Sequence, residues 1–122
     1  MARILIAEDE PDILLLIELR LAREGHTVLT ATNGVDALKL AIDERPDLLV
    51  LDWMMPGFSG VEVCAALRVH REARTMRVLM LTARAQESDL QAAYEAGVDE
   101  FLIKPFRPGE LQERVAALLE RA

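Results

Sequence analysis

Five short apolar runs alternate strictly with longer segments of helical spacing, and this alternation constrains the fold more than any other feature of the chain. The runs cover residues 4–7, 27–31, 48–51, 78–81 and 101–103. Each is too short for a core helix and is bounded by polar or turn residues, as buried strands are. Residues 11–24, 33–45, a segment opening at Ser59, 86–96 and 108–121 carry apolar residues at helical intervals. Gly25 and Gly97 stand where helix C-termini favour a left-handed residue. Asn33, and Ser59 with Glu62 three residues on, are N-cap signals. Strict alternation of strand and helix implies a parallel sheet, and right-handed crossovers put helices on both of its faces. We therefore expect an α/β fold: a doubly wound, five-stranded parallel sheet flanked by five helices. The third and fourth runs are apolar throughout, which suits central strands covered on both sides.

The 122 residues suit one domain, taken here as 1–122, long enough to bury a core without staples. There is no internal repeat, low-complexity tract or linker. A formal net charge of −7 argues against nucleic-acid binding by this domain, because phosphate contacts need clustered Lys and Arg. Cys64 is the sole cysteine, so no internal disulfide forms and a reducing compartment fits. It is read as a buried, inert thiol. The opening apolar run stops at Glu8-Asp9-Glu10, too soon for a signal peptide or a membrane span. A cytoplasmic protein without a membrane partner is the expectation.

Four polar stations follow four of the strand-like runs: Glu8-Asp9, Asp52, Thr82 and Lys104. In open α/β sheets the carboxyl ends of the strands are where sites form. Glu8, Asp9 and Asp52 together make an all-oxygen cluster of like charge. Such a cluster needs a proton or a cation, and its donors suit a hard ion such as Mg2+. Alone, Glu8-Asp9 is equally a solvated loop favouring the start of the first helix. Asp52 suits a carboxylate nucleophile that attacks phosphorus to form an acyl phosphate, with Pro56-Gly57 turning tightly beyond it. Thr82 can donate to an anionic oxygen, although a β-branched residue at a strand end is also ordinary. Lys104 at the end of a buried strand needs an anionic partner, unless it snorkels to the surface.

With these residues in place, the chain resembles the receiver domain of bacterial two-component response regulators over essentially its whole length. The resemblance rests on Ile4-Leu5-Ile6-Ala7-Glu8-Asp9-Glu10, Leu51-Asp52-Trp53-Met54-Met55-Pro56-Gly57, Leu81-Thr82-Ala83 and Lys104-Pro105-Phe106, in the family's order and spacing. It implies a flavodoxin-like fold with strand order 2-1-3-4-5. It implies Asp52 as phosphoacceptor, with Mg2+ held by Asp9, Asp52 and the Met54 backbone carbonyl, and by Glu8 through water. Thr82 and Lys104 would contact the phosphoryl oxygens, and the Lys104–Pro105 bond would be cis. The implied donor is a sensor histidine kinase or a histidine phosphotransfer protein. The domain would catalyse its own phosphorylation and dephosphorylation without turning over a separate substrate. Thr82 and Phe101 would form the switch, displacing the surface of helix 4, strand 5 and helix 5. The output would be transcription regulation through a DNA-binding domain outside this sequence, with a free single-domain regulator, a hybrid kinase or an enzyme as the alternatives.

Two positions depart from the commonest pattern: the first acid is Glu8 rather than Asp, and Phe101 stands where Tyr is more frequent. Phe101 can rotate and pack but has no hydroxyl to offer. Glu100, Glu110 and Arg114 fall where charges of winged-helix relatives cross a homodimer through helix 4, strand 5 and helix 5. Solvated helix faces remain the alternative. Met54 and Arg84 stand two residues beyond Asp52 and Thr82, positions that can gate attacking water in the family. Trp53 either borders the site or fills the core. In the first helix Ile13, Leu16, Ile17 and Leu21 are expected to face the core. Leu14 lies at the margin of that stripe. Leu15, with Ala22 nearby, is expected on a docking surface for the phosphodonor.

Other classes fit less well. Carboxylate-nucleophile phosphatases usually carry a second Asp two residues after the nucleophile, where this chain has Met54. Neither glycine-rich nucleotide-binding pattern occurs, and a pseudo-receiver would not fill all four stations.

Overall fold

The computed structural model describes residues 1–83 and 86–121. Strands β1 (Arg3–Ala7), β2 (Thr27–Ala31), β3 (Leu48–Asp52), β4 (Arg77–Thr82) and β5 (Glu100–Ile103) alternate with α1 (Pro11–Arg23), α2 (Gly34–Glu44), α3 (Gly60–Val69), α4 (Glu87–Glu95) and α5 (Pro108–Glu120). The strands form one parallel sheet in the order β2-β1-β3-β4-β5. Every residue of β3 is buried, as expected of a central strand covered on both faces.

Alternate residues of each strand enter opposite layers. On one side Ile4, Ile6, Val50, Leu79 and Leu81 pack with Ile17 and Leu21 of α1 and Leu111 and Val115 of α5. On the other, Leu5, Leu49, Leu51, Met80 and Phe101 meet Ala37 of α2, Val63 and Leu67 of α3 and Ala93 of α4. Cys64 lies in this second layer, where burial pushes its thiol up to about 11, as an inert core cysteine requires.

The helix ends follow the local chemistry. Asn33 accepts from the Asp36 amide at the start of α2. Ser59 and Glu62 form a reciprocal capping box on α3. Gly25 and Gly97 adopt positive φ just past α1 and α4. The Lys104–Pro105 peptide is cis.

One core expectation is corrected. Leu16 is 45% exposed, and Leu14 is partly buried against the α1–α5 layer instead. Helical geometry explains the exchange: at roughly 100° per residue, Leu16 turns away from the Ile17–Leu21 direction and Leu14 turns toward it. Helix α1 consequently shows Leu15, Leu16 and Leu19 to solvent. Among the described residues, no helix is long and apolar enough to cross a membrane.

Candidate functional site

The sheet register sets the stations side by side. Asp52 closes β3 opposite Leu81, and Thr82 closes β4 opposite Ile103, the residue before Lys104. The connecting loops are fastened to neighbouring strand ends by backbone hydrogen bonds. The Glu8 amide donates to the Ala31 carbonyl at 3.1 Å, the Trp53 amide to Leu81 at 2.9 Å, and the Lys104 amide to Thr82 at 2.8 Å. The Gly60 amide, opening α3, donates to the Trp53 carbonyl at 2.8 Å. A side chain at Gly60 would put its Cβ 2.4 Å from the Asp52 carbonyl oxygen. Only glycine lets α3 begin this close to the backbone that carries Asp52.

Three polar side chains are withdrawn from water at this edge: Glu8 is 0% exposed, Asp52 6% and Thr82 1%. The Lys104 ammonium joins two of them, donating to Glu8 Oε1 at 2.8 Å and to Asp52 Oδ1 at 3.1 Å. Glu8 Oε2 accepts from the Glu10 amide at 3.2 Å. Burial first, and the Glu8 charge second, push the Asp52 carboxyl up to about 7, against the opposing pull of Lys104. For Lys104, burial pulls downward, but the hydrogen bonds and charges of Glu8 and Asp52 outweigh it and leave its pKa raised. The site therefore holds more negative charge than one lysine compensates.

The donor set fits a hard divalent cation. One carboxylate oxygen each from Glu8, Asp9 and Asp52 lies within 4.8 Å of the other two. All are oxygens, and Asp9 is exposed, which suits an ion that keeps part of its water shell. Asp9, Asp52, Trp53, Met54, Thr82 and Lys104 line a cleft of about 300 Å3. Trp53 thus fills both roles expected of it: its ring is buried in the α2–α3 layer and it borders the cleft. Met54 is exposed beside Asp52, while Arg84 lies outside the described residues. A larger concavity of about 760 Å3, lined in part by His26, Asp47, Arg77 and Arg121, lies at the opposite edge of the sheet. It contains no comparable carboxylate cluster among the described residues.

Phe101 is not part of the cleft. It is buried under α4, where its ring meets Tyr94 edge to face with centroids 4.8 Å apart. Its carbonyl accepts from Arg114 at 2.7 Å. The charges expected to cross a dimer have partners within the chain. Glu100 pairs with Arg114 and Arg121, and Glu110 with Arg107.

Sequence reasoning missed Gly60 and Arg68. Gly60 gave a faint signal as the residue after a Ser N-cap. Arg68 gave none: its guanidinium donates to the carbonyls of Arg74, Met76 and Gly97 and to Asp99, contacts that exist only once the chain has folded.

The family model described as response regulator receiver domain matches residues 4–116. The chain belongs to this family. It is a receiver domain of two-component response regulators. It is 43% identical to the alkaline phosphatase synthesis transcriptional regulatory protein PhoP of Bacillus subtilis, over 98% of this chain and 49% of that protein. It is 42% identical to the phosphate regulon transcriptional regulatory protein PhoB of Rhizobium meliloti, over 98% of this chain and 53% of that one. The chain spans about half the length of these curated relatives. Its backbone matches a crystal structure of a putative response regulator from Chloroflexus aurantiacus with a TM-score of 0.92 at 37% identity, covering 98% of both chains. The chemotaxis response regulator CheY4 of Vibrio cholerae matches with a TM-score of 0.92 at 30% identity, covering 97% of this chain and 98% of that one. The flavodoxin-like arrangement expected from the resemblance, in strand order 2-1-3-4-5, is the observed one.

Proposed function

We propose that this receiver domain, residues 1–122, accepts a phosphoryl group on Asp52 from a phosphohistidine of a sensor kinase or a phosphotransfer protein. The observation that carries the proposal is the buried Asp52–Lys104–Glu8 arrangement opening onto Asp9 at the carboxyl edge of the sheet. An Asp52 carboxylate oxygen forms the bond to phosphorus as the donor's N–P bond breaks and its electron pair returns to the imidazole. Lys104 already bridges two anions, and a phosphoryl oxygen offers it a third partner of the same kind. Thr82, closing the adjacent strand, is within reach of the same cleft and supplies a hydroxyl donor. Asp9, Asp52 and the Met54 carbonyl, with Glu8 through water, would hold Mg2+, which would supply the countercharge that lets these carboxylates share the site with a phosphoryl group. Support for that ion includes the receiver domain of the sensor histidine kinase PA1611 of Pseudomonas aeruginosa, described with magnesium coordinated in its active-site cleft. That domain is 28% identical to this chain, with a TM-score of 0.90, covering 98% of both.

The phosphodonor is proposed to dock on α1, where Leu15, Leu16 and Leu19 leave an exposed apolar face. The setting is cytoplasmic. The output is transcription regulation through a DNA-binding domain outside this sequence, which the names of the relatives support. Phosphorylated copies are proposed to pair through α4, β5 and α5, where Glu100, Arg114 and Arg121 form an ion-pair cluster. Sedimentation velocity with and without phosphorylation checks this pairing, and an unchanged monomer under both conditions excludes it.

Labelling by acetyl phosphate tests the chemistry. Wild-type protein is expected to take up phosphate only with Mg2+, and Asp52→Asn none. Mg2+-dependent labelling of that variant contradicts the assignment. In the same assay Leu15→Glu slows transfer from the kinase and leaves transfer from acetyl phosphate unchanged; equal slowing of both rejects α1 as the docking face.

A further inference from the structure

We propose that Tyr94 carries the switch from Phe101 to the outer surface of α4, supplying at that surface the aromatic hydroxyl that Phe101 lacks. Paired residues in a parallel sheet face the same side. Thr82 pairs with Ile103 and Met80 with Phe101, so Thr82 and Phe101 both face the layer that α4 covers. Phe101 is buried, and the Tyr94 ring stands on it edge to face at 4.8 Å and 87°. Rings in such contact interdigitate, and one does not turn without displacing the other.

Tyr94 is 49% exposed, so a displacement of Phe101 reaches solvent in one step. Its partners on the surface are Leu90, Gln91 and Glu95, which line a shallow groove with it. The helix is lightly seated. Ala93 is the one residue of α4 fully buried among those described, with Leu90 partly buried. Its carboxyl end is held: Arg68 donates to the Gly97 carbonyl at 2.6 Å and to Asp99 at 2.9 Å. At its start Gln86 makes no side-chain cap hydrogen bond. A push on Tyr94 close to the fixed end is thus taken up by the ring and by a tilt of the lightly seated helix about that end.

The inference rests on phosphorylation at Asp52, and its test separates the two. Tyr94 is the only tyrosine in the chain, so incorporating 3-fluorotyrosine gives a single 19F resonance. Spectra are recorded with Mg2+ before and after acetyl phosphate, and the phosphorylated fraction is measured on the same sample. A shift of the Tyr94 resonance that tracks the phosphorylated fraction is expected. In Phe101→Leu, compared at equal phosphorylated fraction, that shift is lost. A stationary Tyr94 resonance in phosphorylated wild-type protein overturns the inference and leaves the Asp52 chemistry intact. So does a wild-type shift in Phe101→Leu. Failure of the wild type to take up phosphate overturns the Asp52 reading, and this inference with it.

Discussion

The carboxyl edge of the sheet and the α4 face differ in how firmly their parts are held. At the edge, Glu8, Asp52 and Thr82 are buried, and backbone hydrogen bonds fasten the loops that carry them to adjacent strands. Across the sheet, α4 buries little beyond Ala93 and displays a half-exposed Tyr94. Chemistry that needs several groups to converge within a few ångströms favours rigid strand ends. A surface that must change with the state of that chemistry favours an element with few buried contacts, which moves at small cost. The two regions meet at β4 and β5, where Thr82 belongs to the first and Phe101 to the second.

Loosening the edge is expected to have the largest effect. Gly60→Ala places a methyl group against the Asp52 carbonyl and is expected to cost about 2–3 kcal/mol, the upper range for overpacking a close contact. Urea denaturation measures it, and acetyl phosphate labelling should fall in parallel. A near-neutral outcome means that the loop after Asp52 yields easily, and the contrast with α4 disappears.

A second effect comes from the crowded charges and has a defined pH window. The folded Asp52 carboxyl holds its proton to about 7, well above the ordinary aspartate value of about 3.8 that it has in the unfolded chain. Between those values the folded chain binds the extra proton, so this group's contribution to stability declines as pH rises. Asp52→Asn removes the ionisation and leaves Lys104 its Glu8 partner. The full shift corresponds to roughly 4 kcal/mol at pH 8; with the cost of burying the Asn amide set against it, the variant should gain on the order of 1–2 kcal/mol over wild type there, shrinking as pH falls toward 4. A constant difference across this range contradicts the charge account.

The smallest effect belongs to the α4 face. Tyr94→Leu keeps an apolar side chain on Phe101 but loses the ring contact, at an expected cost of about 0.5–1 kcal/mol. A loss as large as that of Gly60→Ala shows that α4 is as firmly integrated as the edge.

The sheet was legible because parallel strands buried on both faces must be continuously apolar, as Leu48–Asp52 is up to its last residue. The site was legible because each of its polar residues closes such a run. What escaped was geometry between segments distant in sequence. The α1 stripe was misjudged at Leu16 because Leu14, Leu15, Leu16 and Leu19 make the helix apolar nearly all round, so composition does not select the buried face. Gly60 is set by the distance to the Asp52 carbonyl, and the Tyr94–Phe101 contact by how α4 lies across β5. Neither distance is written in a local pattern. Glu8 was expected near the ion through its longer reach, and its direct pairing with Lys104 became visible only when residues 96 apart in sequence were brought to 2.8 Å.

The most direct test of Asp52 as the phosphoacceptor is to locate the acyl phosphate chemically. Protein treated with acetyl phosphate, with or without Mg2+, is reduced with borohydride, which converts an aspartyl phosphate to homoserine, and the peptides are sequenced by mass spectrometry. Homoserine at position 52 alone, and only in the Mg2+ sample, is the predicted result. Homoserine at position 9 in place of 52, or the same yield at 52 without Mg2+, contradicts the account.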